Sequence, residues 1–192
     1  MKIIGFVGLP GSGKGVASDV ARQMGIRVLV MGDVIRSEAA RLRLAPSDEN
    51  LGAVGNTLRA QEGPAAVARR TLQKAAGETI IVVDGLRSQA EADFFRAAAE
   101  EFHLVEITAP GESRMKWITA RGRPDDPRAV SSFCTEDNNH AAIEQRDSRE
   151  LSWGMCEAMR MADVRLKNDG NLEQFRGEVR ELLKAFISPQ GH

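Results

Sequence analysis

The residues best suited to chemistry lie near the start of the chain, in the stretch Gly5-Phe6-Val7-Gly8-Leu9-Pro10-Gly11-Ser12-Gly13-Lys14-Gly15. From Gly8 to Lys14 the spacing is G-x-x-x-x-G-K, in which backbone N–H groups surround a β-phosphate and the lysine reaches the β- and γ-phosphate oxygens. Glycine is needed because a loop that turns successive amides toward an anion uses backbone angles that are costly with a Cβ atom. The stretch predicts a phosphate-binding loop whose nucleotide contacts come from Gly8, Leu9, Pro10, Gly11, Ser12, Gly13, Lys14, Gly15 and Val16.

The residues on either side of this loop agree with that interpretation. Lys2 to Val7 is apolar enough for a buried strand, and Val16, Val20 and Met24 recur on one face of a following helix. A glycine-rich surface turn is the alternative, but it does not require a strand before the loop and a helix after it. A Rossmann fingerprint is excluded, because G-x-G-x-x-G would need a glycine in place of Val16.

Two aspartates follow other strand candidates. Ile80 to Val83 is a continuous apolar run, typical of a strand covered on both faces, and Asp84 ends it. A carboxylate there is the Walker B position, which holds Mg²⁺ or its water ligands; a capping or turn aspartate is the alternative. Asp33 follows the strand candidate 26–31, and the sequence is equally consistent with a contact to that water shell and with the N-cap of a helix.

The order of elements predicts an α/β fold. Strand candidates at 2–7, 26–31, 80–84, 104–109 and 164–166 are interleaved with helical segments, which implies right-handed crossovers and a five-stranded parallel sheet with helices on both faces. Ligands of such sheets bind at the carboxyl ends of the strands. We expect a single domain over 1–192. Two helices broken at Gly63-Pro64 form an arm over about 33–76, and S-x-x-E at 88–91 caps a helix that carries Phe94, Phe95 and Phe102.

Composition narrows the functional classes. The 192 residues carry a net charge of −1, so no basic field favours a nucleic acid partner. Cys134 and Cys156 form no C-x-x-C pair, which indicates a reducing compartment rather than a disulfide or zinc framework. The apolar runs are strand-sized and no secretory signal is visible, so we expect a cytoplasmic protein that does not enter a membrane. The sequence leaves the oligomeric state open.

Three motifs resemble nucleoside monophosphate kinases. The loop is similar to the G-x-P-G-x-G-K-G of adenylate kinases, although Gly15 stands where many phosphate loops have a magnesium-binding Ser or Thr; Ser12 and Ser18 are the candidate substitutes. Gly32-Asp33-Val34-Ile35-Arg36 resembles their G-D-x-[LI]-R, and Asp84-Gly85-Leu86-Arg87 resembles their D-G-[FY]-P-R without the proline. The resemblance implies that Arg36 and Arg87 grip the phosphate of an acceptor, with Asp33 beside them. The planar guanidinium suits this role because it meets two phosphate oxygens at once.

The second half of the chain carries a predicted lid. Arg121-Gly122-Arg123-Pro124-Asp125-Asp126 resembles the start of a kinase lid, and Arg146 and Arg149 lie at its far end, so we expect a lid over about 122–153. The resemblance implies that Arg121, Arg123, Arg146 and Arg149 stabilise transition-state charge together with Lys14 and Arg87. A solvated helix with salt bridges is the alternative for the segment around Arg146 and Arg149.

Two further resemblances concern a short segment and the whole chain. The segment 163–173 is similar to dephospho-coenzyme A kinases. The order of G-L-P-G-S-G-K-G, M-G-D-V-I-R, D-E-N-L-G, V-D-G-L-R, R-G-R-P-D-D-P and R-E-L-S-W-G resembles an archaeal family of kinase-like P-loop proteins of unsettled substrate. We therefore expect phosphoryl transfer from ATP, with Mg²⁺, to a small phosphorylated or nucleoside-like acceptor. The alternatives are dephospho-coenzyme A kinase activity and a nucleotide-gated regulatory ATPase.

Overall fold

The computed structural model describes residues 1–122, 126 and 136–188, which form an α/β fold around one parallel sheet. Its five strands lie in the order β2-β3-β1-β4-β5, and all neighbouring pairs are parallel. This topology confirms the predicted fold class. The strands are β1 (Lys2–Val7), β2 (Arg27–Val30), β3 (Ile80–Leu86), β4 (Glu101–Thr108) and β5 (Val164–Lys167).

Helices pack on both faces of the sheet because side chains alternate between the faces along each strand. On β1, Ile3 and Val7 belong to one apolar cluster, whereas Ile4 and Phe6 belong to the other. The helices are α1 (Lys14–Gln23), α2 (Met31–Arg41), α3 (Asp48–Glu62), α4 (Ala66–Leu72), α5 (Gln89–Ala98), α6 (Gly111–Arg121), α7 (Glu136–Ser152), α8 (Met155–Arg160) and α9 (Leu172–Ile187). The first cluster lies under α2, α3, α4, α5 and α8, and the second under α1 and α9.

Most predicted element boundaries hold to within a few residues, because capping groups mark them in the sequence. The Ser47 hydroxyl accepts the backbone N–H of Asn50 at 3.3 Å and begins α3. The Ser88 hydroxyl accepts the N–H of Glu91 at 3.3 Å and begins α5. The predicted break at 63–64 separates α3 from α4, as expected for a glycine followed by a proline.

Two local predictions were wrong. Asp33 is not an N-cap, because β2 runs directly into α2 and the helix begins at Met31 after an extended Val30. Asp33 lies in the first turn, where its charge still interacts favourably with the helix dipole. Phe102 is not on the helix with Phe95 but on β4, because α5 ends at Ala98; the two rings stack at 6.4 Å between centroids.

The predicted lid is described in part, over 122, 126 and 136–153. Its described helical part is α7, which contacts α6 and α8. Arg123 lies outside the described residues, and lid movement stays a prediction. Among the described residues, no helix has the length and apolarity needed to cross a bilayer.

Candidate functional site

The loop between β1 and α1 has the backbone that the glycine spacing predicts. Gly8 and Gly13 have φ values of 145° and 110°, which residues with a side chain rarely adopt. A Cβ atom on Gly8 would lie 2.2 Å from the carbonyl oxygen of Ile107. A Cβ atom on Gly13 would lie 2.4 Å from Nδ2 of Asn168. Only glycine fits these two positions, and loops with such backbone angles are typical of phosphate-binding sites.

Two side chains from distant elements support this loop. Asn168, which directly follows β5, donates from Nδ2 to the carbonyl oxygen of Ser12 at 3.1 Å. Arg114 on α6 donates from Nη1 to the carbonyl oxygen of Pro10 at 2.8 Å and also pairs with Asp147 on α7. Sequence reasoning missed both residues. Asn168 is typical of a turn and Arg114 of a solvated helix, and no local pattern distinguishes these roles.

Lys14 lies at the first position of α1 with its ammonium group turned back onto the loop. It donates to the carbonyl oxygens of Gly8 and Leu9, the latter at 3.0 Å. Removal of the ammonium group from water, aided by the charges of Arg87 and Arg146, lowers the pKa of Lys14 to about 8, although Asp84 and Glu150 act in the opposite direction. Lys14 is therefore a cation whose charge depends on its carboxylate neighbours.

Asp84 and Ser18 form the candidate magnesium site. The buried Asp84 carboxylate on β3 accepts the Ser18 hydroxyl from α1 at 2.9 Å. Mg²⁺ typically binds through one or two carboxylates and keeps water and substrate phosphates as its other ligands, so this pair fits a hydrated Mg²⁺ beside the loop. Of the two candidate hydroxyls, Ser18 is the one that contacts Asp84. The Ser12 hydroxyl is buried within the loop and has no hydrogen-bond partner among the residues that the structure describes.

A cleft of about 980 Å³ joins the loop to the carboxyl edge of the sheet. Trp117 and Leu172 border it as half-exposed apolar side chains, on α6 and α9 respectively. The ionisable side chains that line it include most of the predicted site residues, which are Lys14, Asp33, Arg36, Asp84, Arg87, Arg121 and Arg146. Glu150, which was not predicted, lines it as well. The sheet edge thus brings together residues that are far apart in sequence.

A smaller pocket of about 30 Å³ continues between α2, α3 and α7, and arginines line it. Arg36, Arg87, Arg146 and Arg149 all border it. The carboxylate of Asp48, at the start of α3, pairs with Arg149 at 2.8 Å and with Arg146 at 3.5 Å. Arg149 therefore lies beside the predicted acceptor arginines, against the arm helix α3, and it does not border the larger cleft.

Two other predicted residues are held by carboxylates. Arg36 pairs with Asp33 one turn earlier in α2 at 2.6 Å, with both side chains exposed. Arg121 at the end of α6 donates from Nε to Asp126 at 2.9 Å. Arg36 lies in the middle of α2 and Arg121 at the end of α6, and both line the cleft, so both remain candidates for contacts with phosphate groups.

Glu150 on α7 is a buried carboxylate that sequence reasoning missed. Its Oε1 lies 3.4 Å from Nη1 of Arg87 and 3.4 Å from Nε of Arg146. Burial acts to raise the pKa of its carboxyl group, but Arg87, Arg146 and Lys14 together outweigh burial, and the pKa lies below its ordinary value. Glu150 is therefore an ionised group inside a cationic cleft.

Trp153, at the end of α7, organises a second set of arginines. The guanidinium carbons of Arg59, Arg87 and Arg149 lie 5.0, 5.4 and 5.5 Å from its ring centroid. Arg59 also donates to the fully buried Glu91 at 3.0 Å. Cation–π contacts stabilise guanidinium groups over an indole ring. Trp153 therefore contacts arginines from the arm, from the loop after β3 and from α7.

The amino-acid sequence is similar to those of a known protein family. The model of a family described as "AAA domain" matches residues 7–131. A UPF0200 protein of Methanothrix thermoacetophila is 53% identical over 184 residues, covering 96% of this chain and 97% of the relative. A UPF0200 protein of Methanosarcina mazei is 43% identical over 190 residues, covering 97% of this chain and 96% of the relative.

Structure comparison finds the same architecture among small-molecule kinases. Shikimate kinase from Bacteroides thetaiotaomicron superposes with a TM-score of 0.58 at 14% identity, covering 95% of this chain and 98% of that chain. Shikimate kinase from Acinetobacter baumannii in complex with shikimate gives a TM-score of 0.52 at 15% identity, covering 99% of this chain and 95% of that chain. At these identities the likeness shows a kinase-like P-loop fold.

Proposed function

This chain belongs to the UPF0200 family and carries a P-loop nucleotide-binding domain, and we propose that it is an ATP-dependent kinase acting on a small molecule. The observation that carries the proposal is that the phosphate loop with Lys14 and Asp84 shares one cleft with Arg36 and Arg87. A protein that only binds and hydrolyses a nucleotide as a switch needs the phosphate loop with Lys14 and Asp84, but not Arg36 and Arg87. A cationic acceptor pocket at the other end of the cleft is the additional feature that a transferase needs.

The chemistry requires little covalent help from the protein. In phosphoryl transfer the transferred group is loose and metaphosphate-like, so positioned cations and Mg²⁺ provide most of the rate enhancement. The loop amides and Lys14 would hold the donor phosphates, and Asp84 with Ser18 would hold a hydrated Mg²⁺. Arg121 and Arg146 border the same cleft and would stabilise negative charge on the transferred group, with Arg123 as a further candidate.

The acceptor would bind where the arm meets α7. Arg36, Arg87 and Arg149 border the arginine pocket, which suits the anionic group of a small acceptor whose remaining atoms lie in the larger cleft. The motif resemblances favour a nucleoside monophosphate and, as the alternative, dephospho-coenzyme A. The fold is also shared with enzymes named shikimate kinase, one of them in complex with shikimate, so a small hydroxy acid belongs among the candidates.

A nucleotide-gated regulatory ATPase is the second candidate function. Gly15 replaces the hydroxyl that usually follows the phosphate-loop lysine, which would slow metal-assisted turnover. In addition, Arg146 on α7 pairs with Asp48 on the arm and also borders the nucleotide cleft. Phosphate binding could therefore change the position of α7 without any acceptor.

Mass spectrometry of reaction mixtures distinguishes the two functions. The protein is incubated with Mg-ATP and one acceptor at a time: each nucleoside monophosphate, dephospho-coenzyme A or shikimate. A kinase gives a phosphorylated acceptor in amounts that match the ADP formed. Formation of ADP alone, at a rate that no acceptor changes, would support the regulatory ATPase instead.

Replacing Arg87 by alanine should weaken acceptor use while ATP affinity stays within about twofold. Charge-assisted hydrogen bonds are worth about 1.5–3 kcal/mol, so we expect acceptor KM to rise roughly 10- to 150-fold. Steady-state kinetics give the acceptor KM, and calorimetry gives the ATP Kd. Arg96→Ala is the matched control, because Arg96 is an exposed arginine on α5 that is absent from both pockets. Parallel losses of ATP and acceptor binding in Arg87→Ala would contradict the two-site assignment.

The kcat/KM for ATP should fall as pH rises through about 8, because Lys14 then loses the charge that binds the donor phosphates. An unperturbed lysine would keep its proton to about pH 10.4, so the position of this alkaline limb reports the environment of Lys14 in the free protein. Rates measured between about pH 6.5 and 9.5 test this expectation. A flat profile over that range would mean that the charge of Lys14 does not limit nucleotide capture.

A further inference from the structure

We propose that Glu150 is the general base of the transfer reaction and that the acceptor group is therefore a hydroxyl rather than a phosphate monoester. This inference rests on the kinase function proposed above and names its substrate class: an alcohol that also carries an anionic group. It decides between the two acceptor classes that the motifs leave open.

The Glu150 carboxylate lies where a general base is needed. Glu150 borders the same cleft as Lys14, Asp84 and Arg87, although its side chain is only 2% exposed. Both arginine partners approach Oε1, each at 3.4 Å. Among the residues that the structure describes, none donates a hydrogen bond to Oε2. One oxygen is thus fixed by two cations while the other remains able to accept a proton.

The negative charge of Glu150 affects the two acceptor classes in opposite ways. A phosphate monoester is already an anionic nucleophile, so it needs no base, and it would have to approach Arg87 while Glu150 competes for the same guanidinium. A buried negative charge at that point would repel it strongly, because the local dielectric constant is well below that of water. A hydroxyl group is neutral and must lose a proton to attack phosphorus, so a nearby carboxylate assists it. Glu150 is therefore a cost where a phosphate group must attack beside it and a requirement where a neutral hydroxyl attacks. The anionic group of a hydroxyl acceptor would instead bind toward Arg36 and Arg149, which also border the arginine pocket.

The other carboxylates of the cleft are less suited to this role. Asp19, Asp33, Asp84 and Glu150 are the acidic side chains that line it within the described part of the chain. Asp84 accepts the Ser18 hydroxyl and fits the metal. Asp19 and Asp33 are 64% and 57% exposed and pair with arginines on their own helices. Only Glu150 is both buried and clamped between cations from two different elements.

The proposed reaction transfers the γ-phosphoryl group of ATP directly to the acceptor hydroxyl. The acceptor oxygen forms a bond to the γ-phosphorus of ATP while the bond from that phosphorus to the bridging oxygen breaks. The electron pair of the broken bond leaves on the β-phosphate of ADP, next to Lys14 and the loop amides. Glu150 takes the hydroxyl proton and later releases it to solvent. Arg87 and Arg146 hold the carboxylate in place and keep it ionised before the reaction.

The test compares Glu150→Gln, Glu150→Asp and the matched control Glu144→Gln, which removes the same charge from an exposed position on the same helix. Single-turnover transfer from Mg-ATP is measured with shikimate and dephospho-coenzyme A as hydroxyl acceptors, and with AMP, CMP, GMP and UMP as phosphate acceptors. Thermal melting confirms folding of each variant. Calorimetry measures ADP binding to each variant, and inorganic phosphate binding to each ADP complex.

The proposal expects wild-type transfer to a hydroxyl acceptor and a loss of about 10²- to 10⁴-fold in Glu150→Gln at saturating acceptor. Glu150→Asp should recover part of the rate, and Glu144→Gln should match wild type. ADP affinity should stay within about threefold in Glu150→Gln, and inorganic phosphate should bind about tenfold more tightly once the competing charge is gone. A merely positioning role would raise acceptor KM and leave the saturated rate intact.

Two results would overturn the inference. Transfer to a nucleoside monophosphate at a rate that Glu150→Gln leaves unchanged would show that no base is needed. Weaker phosphate binding in Glu150→Gln would show that the carboxylate does not compete with the acceptor anion. Failure of wild-type protein to phosphorylate any acceptor despite normal ADP binding would instead contradict the proposed kinase function, and the inference would fall with it.

Discussion

Replacing Lys14 by alanine should lower ATP turnover by about 10²-fold or more. In the structure its ammonium group is fixed by the carbonyl oxygens of Gly8 and Leu9, so it is positioned before any phosphate arrives. Loss of a prepositioned cation removes stabilisation where negative charge develops in the transition state. Turnover is measured as ADP release and, where an acceptor is found, as phosphorylated product.

The control for this substitution is Lys184→Ala, which removes an exposed lysine that pairs only with Glu181 on α9 among the described residues. Circular dichroism and thermal melting of both variants separate catalysis from folding. Near-wild-type turnover in a folded Lys14→Ala protein would show that this loop is not the catalytic phosphate site, and the kinase proposal would then lose its basis.

Replacing Gly8 by alanine should have the largest effect on stability. The new Cβ atom would lie 2.2 Å from the carbonyl oxygen of Ile107 on β4, a backbone atom that cannot rotate away, and φ at Gly8 is 145°. Backbone strain and overpacking each cost about 1–3 kcal/mol, so we expect a loss of roughly 3 kcal/mol or more. For a chain of this size that corresponds to a melting temperature lower by roughly 6–12 °C.

Gly15→Ala is the matched control in the same loop. A Cβ atom on Gly15 would meet no atom within 4 Å, and Gly15 lies in the first turn of α1. Because alanine is a better helix former than glycine by up to about 1 kcal/mol, the melting temperature should stay unchanged or rise slightly. Equal melting temperatures for the two variants would mean that the contact between the loop and β4 is not as close as the structure has it.

The phosphate loop and the position of Asp84 could be predicted, because each depends on residue types that lie close together in the sequence. Anion binding by successive amides requires glycines at fixed spacing, and both Gly8 and Gly13 adopt the positive φ values that this implies. A continuous apolar run ending in an aspartate predicted β3 and the position of Asp84. Parallel strands place their carboxyl ends at one edge, so the convergence of Lys14, Arg36, Asp84 and Arg87 on one cleft followed from the order of elements.

The contacts made by α7 could not be predicted, because a polar helix without clear periodicity gives no indication of the face that it buries. Arg149 was expected near the transferred phosphate, whereas the structure places it beside Asp48 at the arginine pocket. Glu150, one residue later, is not among the site residues that the sequence predicts. Its burial depends on α7 packing over the cleft, which brings it to Arg87, the residue that directly follows β3.

Sequence alone therefore determined the features that arise from backbone geometry: the phosphate loop, the five parallel strands and the sheet edge that carries the candidate site. These are encoded locally, since glycine spacing and apolar periodicity act within one or two elements. Tertiary structure decided which charges meet. Asn168 and Arg114 hold the loop, and Glu150 is buried among cations, because helices distant in sequence pack over the same strand ends. The energy of a charge depends on its partners and its burial, and both are properties of the folded chain.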